Sequence, residues 1–271
     1  MAELKRTAVI IPALNEALRI REVVEGALAC TPHVIVIDDG STDGTVAAIS
    51  DLPITLIQHA TRRGKGEGLR SGFRAALALD VDGVVSMDGD GQHLASDVPR
   101  LVAAAAQFPN DIIIGARLKK RAQQPIHRRL ANEFGDWGIA WATGYRIADT
   151  QSGQRYYPRA VCAIADVAGE GFVFEADILI QAARRLGMGC VSVPIESRYA
   201  GDGLAGQFRR SHFRPLTDLY RITSHVVGRV WTYGRVVRRY LEARRSPPRI
   251  FDPGPAPLPT PATPVFESRT A

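Results

Sequence analysis

Asp88 and Asp90 stand two residues apart, directly after a short apolar run. Paired carboxylates offer the hard oxygen ligands that Mg²⁺ and Mn²⁺ prefer, and these ions commonly bridge a protein to the phosphates of its substrate. Gly89 between them would let a ligand approach the backbone closely. Gln92 and His93 are candidate additional ligands. The pattern therefore indicates a metal and phosphate site, with a simple polar turn at a strand end as the alternative.

A second acidic segment, DDGSTDGT at residues 38–45, also follows an apolar run. A carboxylate at the end of a strand, such as that of Asp39, can accept hydrogen bonds from a base or a ribose. The alternative is an ordinary turn in which Ser, Thr or Asp caps the next helix.

Residues 64–68 read GKGEG and precede a helical pattern, which could place Lys65 near a diphosphate. A flexible loop is the alternative. The segment is not a G-x-G-x-x-G fingerprint, because position 69 is Leu, and this argues against a nicotinamide dehydrogenase.

The elements that must position these residues alternate along the chain. Apolar runs predict strands, and three-to-four-residue spacing predicts helices, in the order strand 8–12, helix 16–29, strand 33–37, helix 42–49, strand 54–58, helix 67–79, strand 83–87, helix 97–107 and strand 111–115. This alternation indicates parallel βαβ units, in which ligands collect at the carboxyl ends of the strands. The polar residues stand at those ends, so an α/β fold with one shared site is predicted.

Taken in order, five segments resemble the family 2 glycosyltransferases of GT-A fold: IPALNE at 11–16, VIDDGSTDGT at 36–45, GKGEGLRSGF at 64–73, MDGDGQH at 87–93 and IIGAR at 113–117. Two more, RLAN at 129–132 and DTQSGQR at 149–155, resemble the dolichyl- and polyprenyl-phosphate mannose synthase branch. The resemblance covers about residues 7–200. It implies a Rossmann-like, mostly parallel sheet flanked by helices and an inverting transfer of a hexose, mannose or glucose, from a GDP- or UDP-sugar with Mg²⁺ or Mn²⁺.

The same resemblance implies roles for individual residues. Those expected to bind the nucleotide sugar are Pro12, Asn15, Glu16, Asp39, Lys65, Asp88 and Gly89. Metal ligands would be Asp88, Asp90 and Gln92. The groups acting directly in catalysis would be Asp88, Asp90, Arg117 and Arg129, the two arginines facing the phosphates of donor and acceptor. The acceptor side would be formed by Arg129, Ser152, Arg155, Glu175 and Arg198. The sequence departs from the family at Leu14, where an aromatic residue is frequent, and at Gly89, where the branch commonly has alanine.

The acceptor can be argued from charge. A hydroxyl acceptor needs a general base, for which Asp149, Glu175 and Asp177 are candidates. A lipid phosphate is already anionic and needs cationic positioning instead, which arginine supplies. The arginines of this region favour a polyprenyl phosphate, and a hydroxyl on a glycolipid or glycan stays the alternative.

Residues 207–245 hold 10 arginines and two acids, whereas residues 1–206 carry 22 Lys and Arg against 24 Asp and Glu. Apolar residues recur there at helical spacing, which predicts a basic amphipathic helix lying on an anionic bilayer. A helix packed on the domain with a solvated basic face is the alternative, and nucleic-acid binding is a weaker third. Residues 246–271 contain eight of the 17 prolines and are predicted to be a disordered tail.

Three divisions are thus predicted: a GT-A domain at 1–206, the basic segment at 207–245 and the tail at 246–271. The three widely spaced cysteines favour a reducing compartment. With no apolar stretch of about 18 residues, we expect a protein peripheral on the cytoplasmic face of the inner membrane. A catalytically silent nucleotide-sugar-binding membrane partner is the rival of another class, which the intact Asp88 and Asp90 pair disfavours.

Overall fold

The computed structural model describes residues 2–118, 126–167, 169, 171–196 and 215–255. Seven strands form one sheet in these residues: β1 Thr7–Ala13, β2 Val34–Asp38, β3 Thr55–Gln58, β4 Gly83–Ser86, β5 Asp111–Ala116, β6 Arg155–Pro158 and β7 Gly189–Pro194. Their order is β3-β2-β1-β4-β6-β5-β7. All neighbours pair in parallel except β6, which runs antiparallel to both β4 and β5. The predicted mostly parallel sheet is confirmed, and the first five strands match the predicted runs.

The helices of the described residues are α1 Ala2–Lys5, α2 Ile20–Leu28, α3 Lys65–Leu77, α4 Val98–Gln107, α5 Ile126–Thr143, α6 Arg159–Cys162, α7 Phe172–Arg185, α8 Pro215–Tyr233 and α9 Val236–Arg245. The helix predicted at 42–49 is wrong, because only a 3₁₀ turn at Ala47–Ile49 forms there. Its polar groups are used elsewhere: the Thr42 amide donates to Asn15 Oδ1, and the Thr45 amide donates to Asp43 Oδ1. Short polar side chains that bond the backbone in this way compete with helix formation.

Alternation along the strands divides the core into two layers. On β1, Ile10 points to the layer covered by α3 and α7, whereas Val9 and Ile11 point to the layer covered by α2 and α4. All three side chains are fully buried. The sheet is thus covered on both faces, which explains the nearly continuous apolar character of its central strands.

The basic segment packs on the rest of the fold in its described part, residues 215–245. Its described part is two helices, α8 and α9, separated at Gly234 and Arg235, which both have positive φ. Val226 and Val230 of α8 are buried in the same core as β1 and α3. Residues 215–245 are therefore integrated into the fold, as the packed-helix alternative proposed.

The tail prediction is wrong for its first part. Ile250 pairs with Ser192 of β7, with backbone bonds from Ser192 N to Arg249 O and from Phe251 N to Ser192 O. The Phe251 ring packs edge-on against Phe108, with centroids 5.2 Å apart. We call residues 249–254 the C-terminal strap. It extends the edge of the sheet, and sequence pattern missed it because its partners are about 60 and 140 residues away.

Candidate functional site

The polar residues that follow the strands gather at one edge of the sheet. β1 lies between β2 and β4, so Pro12 and Ala13 at its end separate Asp39, after β2, from Asp88, after β4. This juxtaposition was expected from the parallel strands, whose carboxyl ends meet along one edge.

Lys65 links three elements at the centre of this edge. It is the first residue of α3, and its Nζ lies 2.7 Å from Asp88 Oδ1 and 3.2 Å from Glu175 Oε1. Burial lowers the pKa of the Lys65 ammonium, but the charges of Asp88 and Glu175 outweigh burial and leave that pKa above its ordinary value. Lys65 is therefore charged, as a candidate phosphate ligand must be. It also joins the end of β4 to the first turn of α7.

Asp88 and Asp90 differ in their electrostatics although they are neighbours. Burial acts to raise the pKa of Asp88, but Lys65, together with His93 and Arg117, outweighs burial and lowers that pKa to about 2. Burial, together with the charge of Asp88, raises the pKa of Asp90 to about 6. Two carboxylates this close disfavour each other's ionisation, and a divalent cation relieves that repulsion.

The donor set at this point fits a magnesium or manganese ion shared with a substrate. In the described part of the chain, no three His, Cys, Asp or Glu side chains gather in a way that could hold a metal. Mg²⁺ is usually held by only one or two carboxylates, the other ligands being water and substrate phosphate oxygens. Gln92 lies at this position, where its backbone N and side-chain Nε2 donate to the two Asp90 oxygens at 3.0 and 2.8 Å. Coordination by Gln92 stays a prediction.

The His93 side chain bonds the backbone of this turn and is not exposed as a metal ligand would be. The residue is 7% exposed, and burial lowers the pKa of its ring to about 4, so the ring is neutral at pH 7. Its Nδ1 accepts the Asp88 amide at 3.4 Å. His93 thus helps to fix the start of the turn that carries both carboxylates.

Gly153 touches the centre of the site although the sequence gave no functional reason to select it. A Cβ added there would lie 2.7 Å from Asp88 Oδ2 and 2.8 Å from Lys65 Nζ. At Gly89 a Cβ would lie 3.3 Å from both Ala13 Cβ and Ile20 Cδ1, which is tight but less severe. The closeness of Gly153 explains why the segment at 149–155, remote in sequence, must have a glycine opposite Asp88.

The predicted nucleotide loop is tied together by its own polar groups. Asn15, with a φ of 55°, accepts the Thr42 amide at 2.8 Å, and the Glu16 amide donates to Thr45 Oγ1 at 2.8 Å. Asp39 accepts the Gly64 amide at 2.7 Å. Gly64 has a φ of +88°, which glycine adopts readily and which lets the chain turn into α3. Binding of a nucleotide by these residues stays a prediction.

Arg117 and Asp149 form a bidentate ion pair. Arg117 Nε and Nη2 lie 2.8 and 2.7 Å from the two Asp149 oxygens, and the Arg117 amide donates to the same carboxylate. The other candidate bases are paired as well: Glu175 with Lys65, and Asp177 with Arg229 at 2.8 Å. Each carboxylate proposed as a base for a hydroxyl acceptor thus already compensates a cation.

The structure does not place Arg155 on an acceptor surface. The residue is 1% exposed, and its guanidinium donates to the carbonyls of Ser152 at 2.7 Å, Thr150 at 2.5 Å and Glu175 at 2.9 Å. Ser152 is also fully buried. In this structure the two residues hold the loop that presents Gly153, and their contact with an acceptor stays a prediction.

Two predicted residues cannot be placed. Arg198 lies outside the described residues, and Arg129 belongs to α5 in the part where side chains are not described. Two residues that the structure brings to the candidate site, His59 and Gly153, were not predicted from the sequence. The only sequence signal for Gly153 was its membership of the DTQSGQR segment.

Solved structures share this architecture. Glucosyl-3-phosphoglycerate synthase from Mycobacterium tuberculosis, in complex with Mg²⁺ and uridine diphosphate, superposes with a TM-score of 0.60 at 23% identity, covering 85% of this chain and 82% of that one. The same enzyme with Mn²⁺, UDP-glucose and glycerol 3-phosphate gives 0.57 at 22% identity, covering 84% and 79%. These likenesses show that the chain has the GT-A fold.

The family follows from the sequence comparison. The model of glycosyl transferase family 2 matches residues 8–162, more than half of the chain. The protein belongs to this family. Its relatives include an undecaprenyl-phosphate mannosyltransferase of Micrococcus luteus, 29% identical over 74% of this chain and 90% of the relative, and a polyprenol monophosphomannose synthase of Mycolicibacterium smegmatis, 29% identical over 70% and 77%. A UDP-N-acetylglucosamine–dolichyl-phosphate N-acetylglucosaminyltransferase of Methanococcus voltae is 25% identical over 72% and 87%.

Proposed function

We propose that this protein transfers a hexose from a nucleoside diphosphate sugar to a polyprenyl phosphate, with a divalent cation and at a bilayer surface. The observation that carries the donor side is the Asp88 and Asp90 pair beside Lys65 at the end of β4. The names of the three relatives support the acceptor, since they mention undecaprenyl phosphate, dolichyl phosphate and a polyprenol monophosphomannose.

On the donor side, a cation held by the two aspartates and the Lys65 ammonium would together neutralise the charge of the diphosphate. Asp88 and Asp90 would hold the cation, which when bound stabilises the negative charge developing on the leaving diphosphate. Lys65 adds a second positive charge at this site, and this charge does not depend on the metal, because two carboxylates hold the ammonium group. A diphosphate entering here would compete with Glu175 for this ammonium.

On the acceptor side, the pairing of the carboxylates favours a phosphate. A general base must be within reach of the proton that it removes and free to accept it. Asp149, Glu175 and Asp177 are each engaged by a cation. An anionic phosphate needs no proton removed, so the absence of a disengaged carboxylate among these three candidates does not hinder it.

A surface of α8 and α9 supports membrane contact. These helices pack one face on α5 and α7 and leave Tyr220, Trp231 and Val237 exposed at 74%, 69% and 71%. The same segment, residues 220–245, also has exposed arginines, namely Arg221, Arg235, Arg238, Arg244 and Arg245. We call these residues the basic apolar face. Apolar residues bordered by arginines favour the interface of an anionic bilayer, and no helix in the described ranges is long and apolar enough to cross one.

The function is tested by turnover with the full chain. GDP-mannose and UDP-glucose are supplied in parallel, with Mn²⁺ or EDTA, together with a polyprenyl phosphate or the corresponding polyprenol. We expect a glycosylated lipid that depends on both the metal and the phosphate. Transfer to the hydroxyl compound alone would favour the hydroxyl-acceptor alternative. Metal-dependent donor binding with no transfer to any acceptor would favour a catalytically silent partner.

Glu175→Gln is the sharper variant for the acceptor question, because it preserves shape while removing the carboxylate. With a phosphate acceptor we expect transfer to persist, at a level altered only through Lys65. With a hydroxyl acceptor and Glu175 as base, transfer would fall by about 10²-fold or more.

Membrane contact is tested on the basic apolar face by sedimentation with vesicles of phosphatidylglycerol and phosphatidylcholine. A variant with Tyr220, Trp231 and Val237 changed to Ser should lose most of its binding. Leu186→Ser removes an exposed apolar side chain of another segment, directly after α7, and serves as the control. Point changes are preferable to deletion, since Val226 and Val230 of the same helix are core residues. Equal binding by the triple variant and the control would refute the contact.

A further inference from the structure

The hydrogen bonds of Asp39 leave it only one acceptor position for a ligand. Its Oδ1 lies 2.9 Å from His59 Nδ1 and 2.8 Å from the Arg63 amide, and its Oδ2 lies 2.7 Å from the Gly64 amide. A carboxylate has about four lone-pair positions, two on each oxygen. The described residues therefore fill both positions on Oδ1 and one on Oδ2.

His59 is what fills the second position on Oδ1. It directly follows β3, is 8% exposed, and its other ring nitrogen, Nε2, lies 3.0 Å from Ser71 Oγ on α3. Because an ionised carboxylate can only accept, Nδ1 must donate to Asp39. With both nitrogens engaged, the ring cannot turn away, and Oδ1 stays occupied.

Nucleotide bases differ in how many donors they bring to such a carboxylate. Uracil presents one ring N–H between two carbonyl oxygens. Guanine presents a ring N–H and an amino group side by side, which suit two free carboxylate oxygens. A guanine at Asp39 would leave one of its donors unpaired, and an unpaired donor beside buried groups such as Asp39 and His59 is costly.

We infer that His59, held by Ser71, is a specificity-determining positioning residue: by occupying Oδ1 of Asp39 it makes the site select a uridine diphosphate donor over a guanosine diphosphate donor. This inference rests on the proposed function, in which Asp39 contacts the base. It adds the identity of the base and assigns roles to two residues outside the predicted site.

The test is calorimetric binding of UDP and GDP, each with Mn²⁺, to the full-length protein. We expect the native protein to bind UDP about 10- to 100-fold more tightly, the factor set by one unpaired donor. His59→Phe keeps a ring of similar size and removes the donor, so the preference should fall to within about threefold. His59→Gln, whose amide can still donate to Oδ1, should restore it.

Different results overturn different statements. Equal or tighter binding of GDP by the native protein would overturn the inference and leave the proposed function standing. The inference would also be overturned if His59→Phe protein with a normal melting transition kept its preference for UDP. If that variant does not fold, the native ratio and His59→Gln decide the matter. Binding of neither nucleotide would overturn the proposed function, and the inference with it.

Discussion

Replacing Gly153 with alanine should separate the needs of the site from those of the fold. Gly153 does not have a positive φ, so its backbone conformation is open to alanine. The new methyl group would instead meet Asp88 Oδ2 at 2.7 Å and Lys65 Nζ at 2.8 Å. Both atoms are the ends of flexible side chains, which can retreat without moving the backbone. The substitution thus displaces Asp88 and Lys65, the two charged groups whose positions matter for the proposed donor site.

The size of the effect follows from these contacts. A comfortable separation between a carbon and a polar heavy atom is about 3.4 Å, so Asp88 must retreat by about 0.7 Å. Misplacement approaching 1 Å at a reacting centre costs up to about 10²-fold in rate. We therefore expect turnover to fall about 30- to 100-fold. The melting temperature should fall by no more than about 4 °C, corresponding to roughly 1 kcal/mol from the disturbed ion pair.

Two measurements check this prediction. Mn²⁺ binding in the presence of UDP is followed by the loss of the free-ion electron paramagnetic resonance signal, and thermal unfolding is followed by circular dichroism. Gly228→Ala is the matched control, because a Cβ there meets nothing within 4 Å and its φ is also not positive. We expect the control to bind Mn²⁺ like the native protein and Gly153→Ala to bind it at least tenfold more weakly. Native Mn²⁺ affinity and turnover in Gly153→Ala would refute the argument that Asp88 must occupy its present position.

Three further predictions concern the supports of the site. Arg155→Met removes the side-chain donor from three backbone carbonyls in a buried region, so the free energy of unfolding by denaturant should fall by about 3 kcal/mol or more, and Arg155→Lys should not restore it. Burial acts to raise the pKa of Asp177, but His225 and Arg229 outweigh burial and lower it, so its stabilisation is present above the ordinary carboxyl pKa and is lost as the pH falls through the lowered value. Melting temperatures between pH 2 and 7 should therefore fall less steeply below about pH 4 in Asp177→Asn than in the native protein, and parallel curves would contradict this. A chain ending at residue 248, which lacks the C-terminal strap, should melt about 4–8 °C below one ending at residue 255, as expected for about 2 kcal/mol; equal melting temperatures would show that the strap does not stabilise the fold.

Local pattern was sufficient for the first half of the fold. Strand runs such as residues 33–37 and 83–87 are apolar because both faces of a parallel sheet are covered, and this leaves a continuous signal in the sequence. The antiparallel strand β6 gave no such signal. Its position between β4 and β5 depends on pairings more than 40 residues apart, which no short window contains.

The same distinction runs through the C-terminal region. The spacing of apolar residues in 215–245 predicted a helix. It did not predict whether that helix stands apart from the domain or packs on it. The packing depends on what Val226, Val230 and Arg229 meet, and their partners lie on α5 and α7. The strap was missed because the C-terminal region around it is rich in proline, a composition that predicts disorder when neighbouring contacts are unknown.

By itself, the sequence determined where the chemistry stands: Asp39, Asp88 and Asp90 follow strands, and parallel strands bring their carboxyl ends to one edge. Only the tertiary structure decided which charges pair. It turned Arg155 inward to backbone carbonyls, joined Lys65 to Asp88 and Glu175, set Gly153 against that pair, and placed His59 beside Asp39. Apart from the bonds of Arg155 to nearby carbonyls, these contacts join residues 20 to 110 positions apart. Hydrogen bonds and ion pairs act over about 3 Å, so the chain must fold before the sequence can say which groups meet.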